Sequence, residues 1–147
     1  MTIDEYLHIC RNKRIYADNL RDKYLTLETK ATSPARPNLE TPGSRTRSGR
    51  DNLYLKLIEA KEKTDLALLD YVKARQDLFD KINQLPTDPG TALYIRYILE
   101  LKDNEALEAW NFYSCGKEIC RKTYYRYLKT GKELLKEILN RNGVIIE

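Results

Sequence analysis

The segment ICRKTYYRYLKTGKELL, residues 119–135, places three tyrosines among closely spaced cations. Arginine can donate paired hydrogen bonds to guanine, and lysine ammonium and tyrosine hydroxyl groups can bind phosphate oxygens. The sequence contains no glycine-rich phosphate loop, nucleophile elbow or metal-ligand cluster. The pattern therefore predicts a binding protein for a polyanion and not an enzyme. A merely solvated cationic helix face is the alternative interpretation.

A helix through this segment divides its side chains between two faces, at 100° per residue. One face is apolar and predicts core positions: Tyr124, Leu128, Gly131, Leu135 and Ile138, with Tyr127 and Leu134 beside it. The opposite face carries the cations. Because a recognition helix reads bases mainly with its N-terminal part, the early residues are expected to contact bases and the later ones the phosphate backbone. The predicted DNA-binding residues are Lys117, Arg121, Lys122, Tyr125, Arg126, Lys129 and Lys132.

Three helices are predicted in the last sixty residues, where they would position this face. A turn at 86–90 precedes a helix capped by Thr91, and a second short helix, capped by Asp103 or Asn104, carries Trp110 into the core. Gly116 ends that helix, and the last helix begins at Lys117 or a few residues later and continues to about Asn140, before Asn142 and Gly143. Residues 86–147 thus predict a helix-turn-helix domain.

The N-terminal half is predicted to hold two longer helices, so that the whole chain is all-α. Residues 1–29 form an amphipathic helix, 30–50 a flexible basic linker rich in proline and glycine, and 51–85 a long helix capped by Asp51 or Asn52. The long helix has a heptad-like apolar stripe: Leu57, Thr64, Tyr71, Leu78 and Leu85. This stripe is expected to pack on the N-terminal helix or on a second subunit, and the sequence leaves both open.

Charge and composition narrow the class of protein. The net charge is +4, and the last thirty-one residues carry twice as many basic as acidic side chains, as expected of a protein that binds a polyanion. No apolar run is long enough for a membrane span and no secretory signal is visible, so we expect a cytoplasmic protein. Cys10, Cys115 and Cys120 with the single His8 lack zinc-site spacing, so we expect reduced thiols and neither metal nor cofactor.

The same C-terminal residues resemble a known family. CRKTYYRYLKTGKELL resembles the S-x-x-T-Y-Y-R-x-x-K-x-A-L segment of phage-encoded transcriptional regulators of the ArpU and RinA type, whose C-terminal part is similar to the fourth region of bacterial sigma factors. PTDPGTALYIRYILELKDNEALEAW resembles the stretch that precedes it, so the resemblance covers residues 86–139. Cys120 departs from the family's serine cap, and Gly131 stands where alanine is common.

The resemblance implies sequence-specific binding of double-stranded DNA that activates late phage genes in a bacterial host cell, with RNA polymerase as a further partner. Two other hypotheses stay open from the residues alone. One is a phage DNA-packaging accessory similar to small terminase subunits, which would form a ring. The other is a helical interaction protein that binds no nucleic acid.

Overall fold

The computed structural model describes residues 1–32, 47–114, 116 and 118–147, and it describes residues 47–51 by their backbone alone. Over these residues the chain is all-α, as predicted. The helices are α1 (Ile3–Thr32), α2 (Arg47–Ile82), α3 (Thr87–Leu93), α4 (Asp103–Tyr113) and α5 (Arg121–Arg141), and a π-helical turn (Tyr94–Ile98) continues α3.

The chain divides into two compact units. Unit 1 comprises Met1–Asn12 and Val72–Glu147, and therefore contains α3, α4 and α5. Unit 2 comprises Lys13–Tyr71, which is most of α1 and the first two thirds of α2. Each unit has its own packing and is described by itself.

Residues 87–90 form the start of α3, so the prediction of a turn over 86–90 was wrong. Pro86 has extended backbone angles at the start of α3, and its carbonyl accepts the N–H of Gly90 at 2.9 Å. Pro89 is tolerated because the first N–H groups of a helix have no internal acceptor. Thr91 consequently lies inside the helix and is not its cap.

The π-helical turn brings several neighbouring apolar side chains inward. The N–H of Leu99 donates to the carbonyl of Tyr94 at 3.0 Å, which closes one wide turn. Ile95, Tyr97 and Ile98 are all buried there. A wide turn of this kind explains how a segment with so many consecutive apolar residues fits a small core.

Glycine residues end both α4 and α5, as predicted. Gly116 has φ +90° and donates its N–H to the carbonyl of Asn111 at 2.9 Å, which terminates α4. At the end of α5, Gly143 has φ +85°, and the N–H of Val144 donates to the carbonyl of Leu139 at 3.0 Å. The second arrangement is a Schellman motif, in which glycine adopts the left-handed conformation at little cost. Cys115 and Lys117 lie outside the described residues.

The core of unit 1 is built where α3 packs against α5. Its largest fully buried side chains are Leu7, Leu93, Ile95, Trp110, Leu135 and Leu139. Gly131 of α5 lies against Leu93 and Pro89 of α3: a Cβ atom at Gly131 would lie 3.0 Å from Leu93 and 3.1 Å from the Pro89 carbonyl oxygen. The absent side chain therefore allows the two helices to approach closely.

Unit 2 is an antiparallel pair of helices from one chain. Lys13 of α1 binds Asp70 of α2 with an Nζ–Oδ1 distance of 3.0 Å. Leu27, nearly four helical turns further along α1, shares a groove with Lys56 near the start of α2. The part of the predicted stripe that lies in unit 2 faces this seam, where Thr64 is buried and its hydroxyl donates to the Ala60 carbonyl at 2.7 Å. The N-terminal helix is thus one partner of α2.

Three predicted helix boundaries need correction. Helix α1 continues to Thr32, because Thr26 and Thr32 donate their hydroxyls to carbonyls four residues earlier and remain compatible with the helix. Helix α2 begins at Arg47 instead of Asp51, since Gly49 lowers helix stability by only about 1 kcal/mol. It ends at Ile82 instead of Leu85. Of the predicted linker, residues 33–46 lie outside the described residues.

Replacing Gly131 with alanine is expected to destabilise the protein. Alanine raises helix propensity by about 0.5–1 kcal/mol, but overpacking against the Pro89 carbonyl and Leu93 costs about 1–3 kcal/mol. We expect a net loss of about 1 kcal/mol in the free energy of unfolding, measured by urea titration, and a larger loss for Gly131→Val. Thr130→Ala, on the exposed neighbouring position, is the control and should not lower stability. A Gly131→Ala variant that is more stable than the wild type would contradict the packing described here.

Candidate nucleic-acid interface

The start of α5 is fixed by Cys120, which resolves the position that the sequence left open. Cys120 has extended backbone angles immediately before Arg121. Its sulfur lies 3.1 Å from the Thr123 hydroxyl oxygen. A thiol thus occupies the capping position with a weaker acceptor than a serine hydroxyl would supply.

One face of α5 is buried in unit 1, close to the prediction. The buried residues are Tyr124, Leu128, Gly131, Leu135 and Leu139. Ile138, predicted as core, is only half-buried, and Leu139 takes the inner position instead. The sequence could have indicated the burial of Leu139, because this residue follows Leu135 by four positions and therefore lies on the same face of the helix.

The opposite face of the first half of α5 is exposed and cationic. Its exposed predicted residues are Arg121, Lys122, Tyr125, Arg126 and Lys129. The segment between Cys120 and Lys132 contains no acidic residue, whereas Glu133 and Glu137 follow in the second half. Positive charge is therefore concentrated in the first two to three turns.

Two contacts join this face to the start of α4. The guanidinium of Arg121 donates to the Asn104 side-chain oxygen at 3.3 Å, and the Tyr125 hydroxyl donates to the Asp103 carboxylate at 3.4 Å. Sequence reasoning treated Asp103 and Asn104 only as caps of α4 and missed these contacts. The contacts could have been anticipated, because Asp103 and Asn104 lie in the first turn of the helix that precedes α5 in the chain.

Lys132 lies apart from the other predicted residues. Its ammonium binds the Asp4 carboxylate at 2.9 Å and lies 5.7 Å from the centre of the Tyr97 ring. Partial burial lowers the pKa of Lys132, but the hydrogen bonds to Asp4 and Tyr97 outweigh this effect and raise the pKa above its ordinary value. Because its ammonium is already paired with Asp4, we do not include Lys132 among the residues of the candidate interface. Lys117 lies outside the described residues.

The aromatic residues of α4 and α5 divide as predicted between core and surface. Trp110 is fully buried and stacks on Tyr127, with ring centroids 5.4 Å apart and planes 15° apart, which confirms its core role. Burial raises the pKa of Tyr124 to about 12. Neither the Tyr124 hydroxyl nor the Trp110 indole N–H finds a hydrogen-bond partner among the described residues. Tyr125, in contrast, is exposed among the cations.

The charges at the start of α5 oppose the helix macrodipole. Arg121 and Lys122 occupy the first turn, and no acidic residue does. The N-terminus of a helix carries a partial positive charge, so each cation there costs about 0.3–1 kcal/mol of helix stability. Exposed N–H groups, the macrodipole and the two side chains together create a strongly positive end that favours an anion.

Other kinds of site find no support in the described part of the chain. Within it, no group of three or more His, Cys, Asp or Glu side chains could hold a metal ion. None of the described helices has the length and apolar content needed to span a membrane.

Comparison with known proteins does not assign the chain to a family. It matches no protein-family model, no curated protein and no solved structure.

The thiol of Cys120 is expected to react at lower pH than an ordinary cysteine. The Thr123 hydroxyl and then the Thr123 backbone N–H stabilise the thiolate, which lowers the pKa of Cys120. Alkylation with iodoacetamide, followed against pH by peptide mass spectrometry, should show a midpoint that rises in Thr123→Val. Thr130→Val on the same helix is the control and should leave the midpoint unchanged. Equal midpoints in all three proteins would contradict the contact.

Proposed function

We propose that this chain is a sequence-specific double-stranded DNA-binding protein that inserts the first turns of α5 into the major groove. The observation that carries the proposal is the exposed face of Arg121, Lys122, Tyr125, Arg126 and Lys129, opposite a face that is buried in unit 1. The major groove is about 12 Å wide and admits one α-helix. Because the inner face is held by α3, the cationic face is the one free to enter it.

The position of the charges along α5 favours DNA binding over solubility as the reason for its cationic face. A cationic face that served only solubility would gain stability by placing its cations near the C-terminus of the helix. In α5 the first half carries four cations and no acid, whereas Glu133 and Glu137 offset two of the three cations of the second half, so the net positive charge lies at the end where the macrodipole disfavours it. This arrangement supports a partner whose negative charge compensates for the cost.

The residues divide into two roles in this proposal. Arg126 lies in the second turn, with its guanidinium 6.0 Å from the centre of the Tyr127 ring, and is proposed to contact a base edge. Lys129, one turn further, is proposed to bind phosphate. Arg121 and Tyr125 are linked to Asn104 and Asp103, so the start of α4 is proposed to orient them towards the DNA.

The biological setting is proposed from the resemblance of residues 86–139 to phage regulators of the ArpU and RinA type. We propose a transcriptional regulator of late phage genes, with RNA polymerase as a further partner in the cytoplasm of the host. The order of helices agrees with a helix-turn-helix domain, in which α4 precedes the recognition helix α5.

Selection of bound fragments from random DNA, followed by band-shift titration on the selected site, tests the proposal. Arg126→Ala should weaken binding by about 1–3 kcal/mol and relax the preference at one base pair, because a paired contact to a base is lost. Lys23→Ala, an exposed lysine of α1 with the same change in charge, is the control and should leave the preference unchanged. Retained specificity in Arg126→Ala would contradict the assigned role.

Lys129→Ala should act differently from Arg126→Ala. Loss of one phosphate contact is expected to weaken binding to all sequences and to reduce the slope of log K against log salt by about 1. Titrations at four salt concentrations measure this slope on the selected site and on unrelated DNA. If the slope is unchanged, or if Lys23→Ala changes it equally, Lys129 does not lie in the interface.

A further inference from the structure

Helix α2 carries a second apolar stripe that faces solvent. In unit 2 the side chains of Leu55, Ile58, Leu66 and Leu69, here called the outer stripe, are 57 %, 55 %, 67 % and 51 % exposed. At 100° per residue they share one side of the helix. The side that packs on α1, marked by buried Thr64 and Ala67, lies nearly opposite.

Unit 2 has little core of its own among its described residues. Its buried side chains are Ala17, Thr64 and Ala67, all of them small. Most of the stability of protein helices comes from tertiary packing of an apolar face, and a pair of helices with only small buried residues provides little of it. The outer stripe therefore leaves in water the large side chains that this unit would need to bury.

The spacing of the outer stripe is the same when read in either direction along α2. Intervals of three, eight and three residues separate its four members, so the stripe is symmetric about Glu62. A second copy placed antiparallel would set Leu55 opposite Leu69 and Ile58 opposite Leu66 in both halves. Such a self-complementary surface is the kind that a two-fold symmetric interface uses.

The charges along this segment also favour a second copy over a polyanion. Residues 55–69 carry Lys56, Lys61 and Lys63 against Glu59, Glu62 and Asp65, so the segment has no net charge although the whole chain is positive. Two copies can approach each other there without net repulsion. In the symmetric pairing Glu62 faces its own copy and is flanked by Lys61 and Lys63, which leaves one unfavourable like-charge contact at the centre.

We propose that the outer stripe of α2 is an interface with a second copy of this chain, paired antiparallel about Glu62. The pairing forms a four-helix assembly from the two α1–α2 pairs and buries the side chains that unit 2 exposes. It does not depend on DNA binding, because its residues lie outside the cationic face of α5. Failure of one proposal therefore leaves the other standing.

Sedimentation equilibrium of the full chain without DNA tests the interface. We expect twice the chain mass of 17.3 kDa at micromolar concentration. Leu66→Lys should weaken the dimer at least tenfold, and Glu62→Leu should tighten it at least fivefold, because the like-charge contact is replaced by an apolar one. Ile145→Lys, at a residue of unit 1 that is 83 % exposed, is the control and should have no effect. Circular dichroism checks that each variant keeps its helix content.

Three outcomes would overturn the proposal: a monomer mass at 100 µM, a ring of eight or more subunits, or equal disruption by Ile145→Lys and Leu66→Lys. Cross-linking tests the orientation in a chain with Cys115→Ser and Cys120→Ser. With Leu55→Cys and Leu69→Cys combined, mild oxidation should give a covalent dimer, whereas Leu55→Cys alone should give little. Efficient cross-linking of Leu55→Cys alone would indicate parallel chains and exclude the pairing proposed here.

Discussion

The close contact between α3 and α5 at Gly131 is the constraint on which the arrangement of unit 1 depends. Leu93 and the Pro89 carbonyl occupy the space that any side chain at this position would need. Rotating α5 by one residue, about 100°, would direct Thr130 or Lys132 at the backbone of α3. The contact therefore allows one rotational setting of α5, and this setting leaves Lys122, Arg126 and Lys129 exposed. The direction of the cationic face thus follows from the packing of a glycine.

The cationic face and the stability of α5 place opposing demands on the same few residues. Acidic side chains in the first turn would stabilise the helix, and a serine at the capping position would satisfy its amide groups better than Cys120 does. The Schellman motif at the other end and the buried face from Tyr124 to Leu139 offset part of this loss. A helix that is well packed and well terminated can retain an unfavourable first turn, and this is the turn where the proposed DNA contact requires positive charge.

The fold class, the helix order and the two faces of α5 could be predicted from the sequence, because periodic apolar spacing and glycine at helix ends are local signals. The turn predicted at 86–90 was wrong because proline and glycine also occur in the first turn of a helix, where the N–H groups are free. The ion pair of Lys132 with Asp4 could not be predicted, since it joins residues 128 positions apart. The DNA-binding role of the remaining cations stays a prediction, which the geometry of α5 supports but does not test.

The two apolar stripes of α2 explain why its sequence pattern left the packing partner undecided. Within unit 2 the heptad-like stripe faces α1 of the same chain, as the burial of Thr64 indicates. The outer stripe lies on nearly the opposite side, so the two contributions largely cancel in any measure of one-sided apolarity. A helix with such a pattern reads as weakly amphipathic although it has two apolar surfaces. Packing on α1 and packing on a second copy are therefore compatible, because they use different sides of one helix.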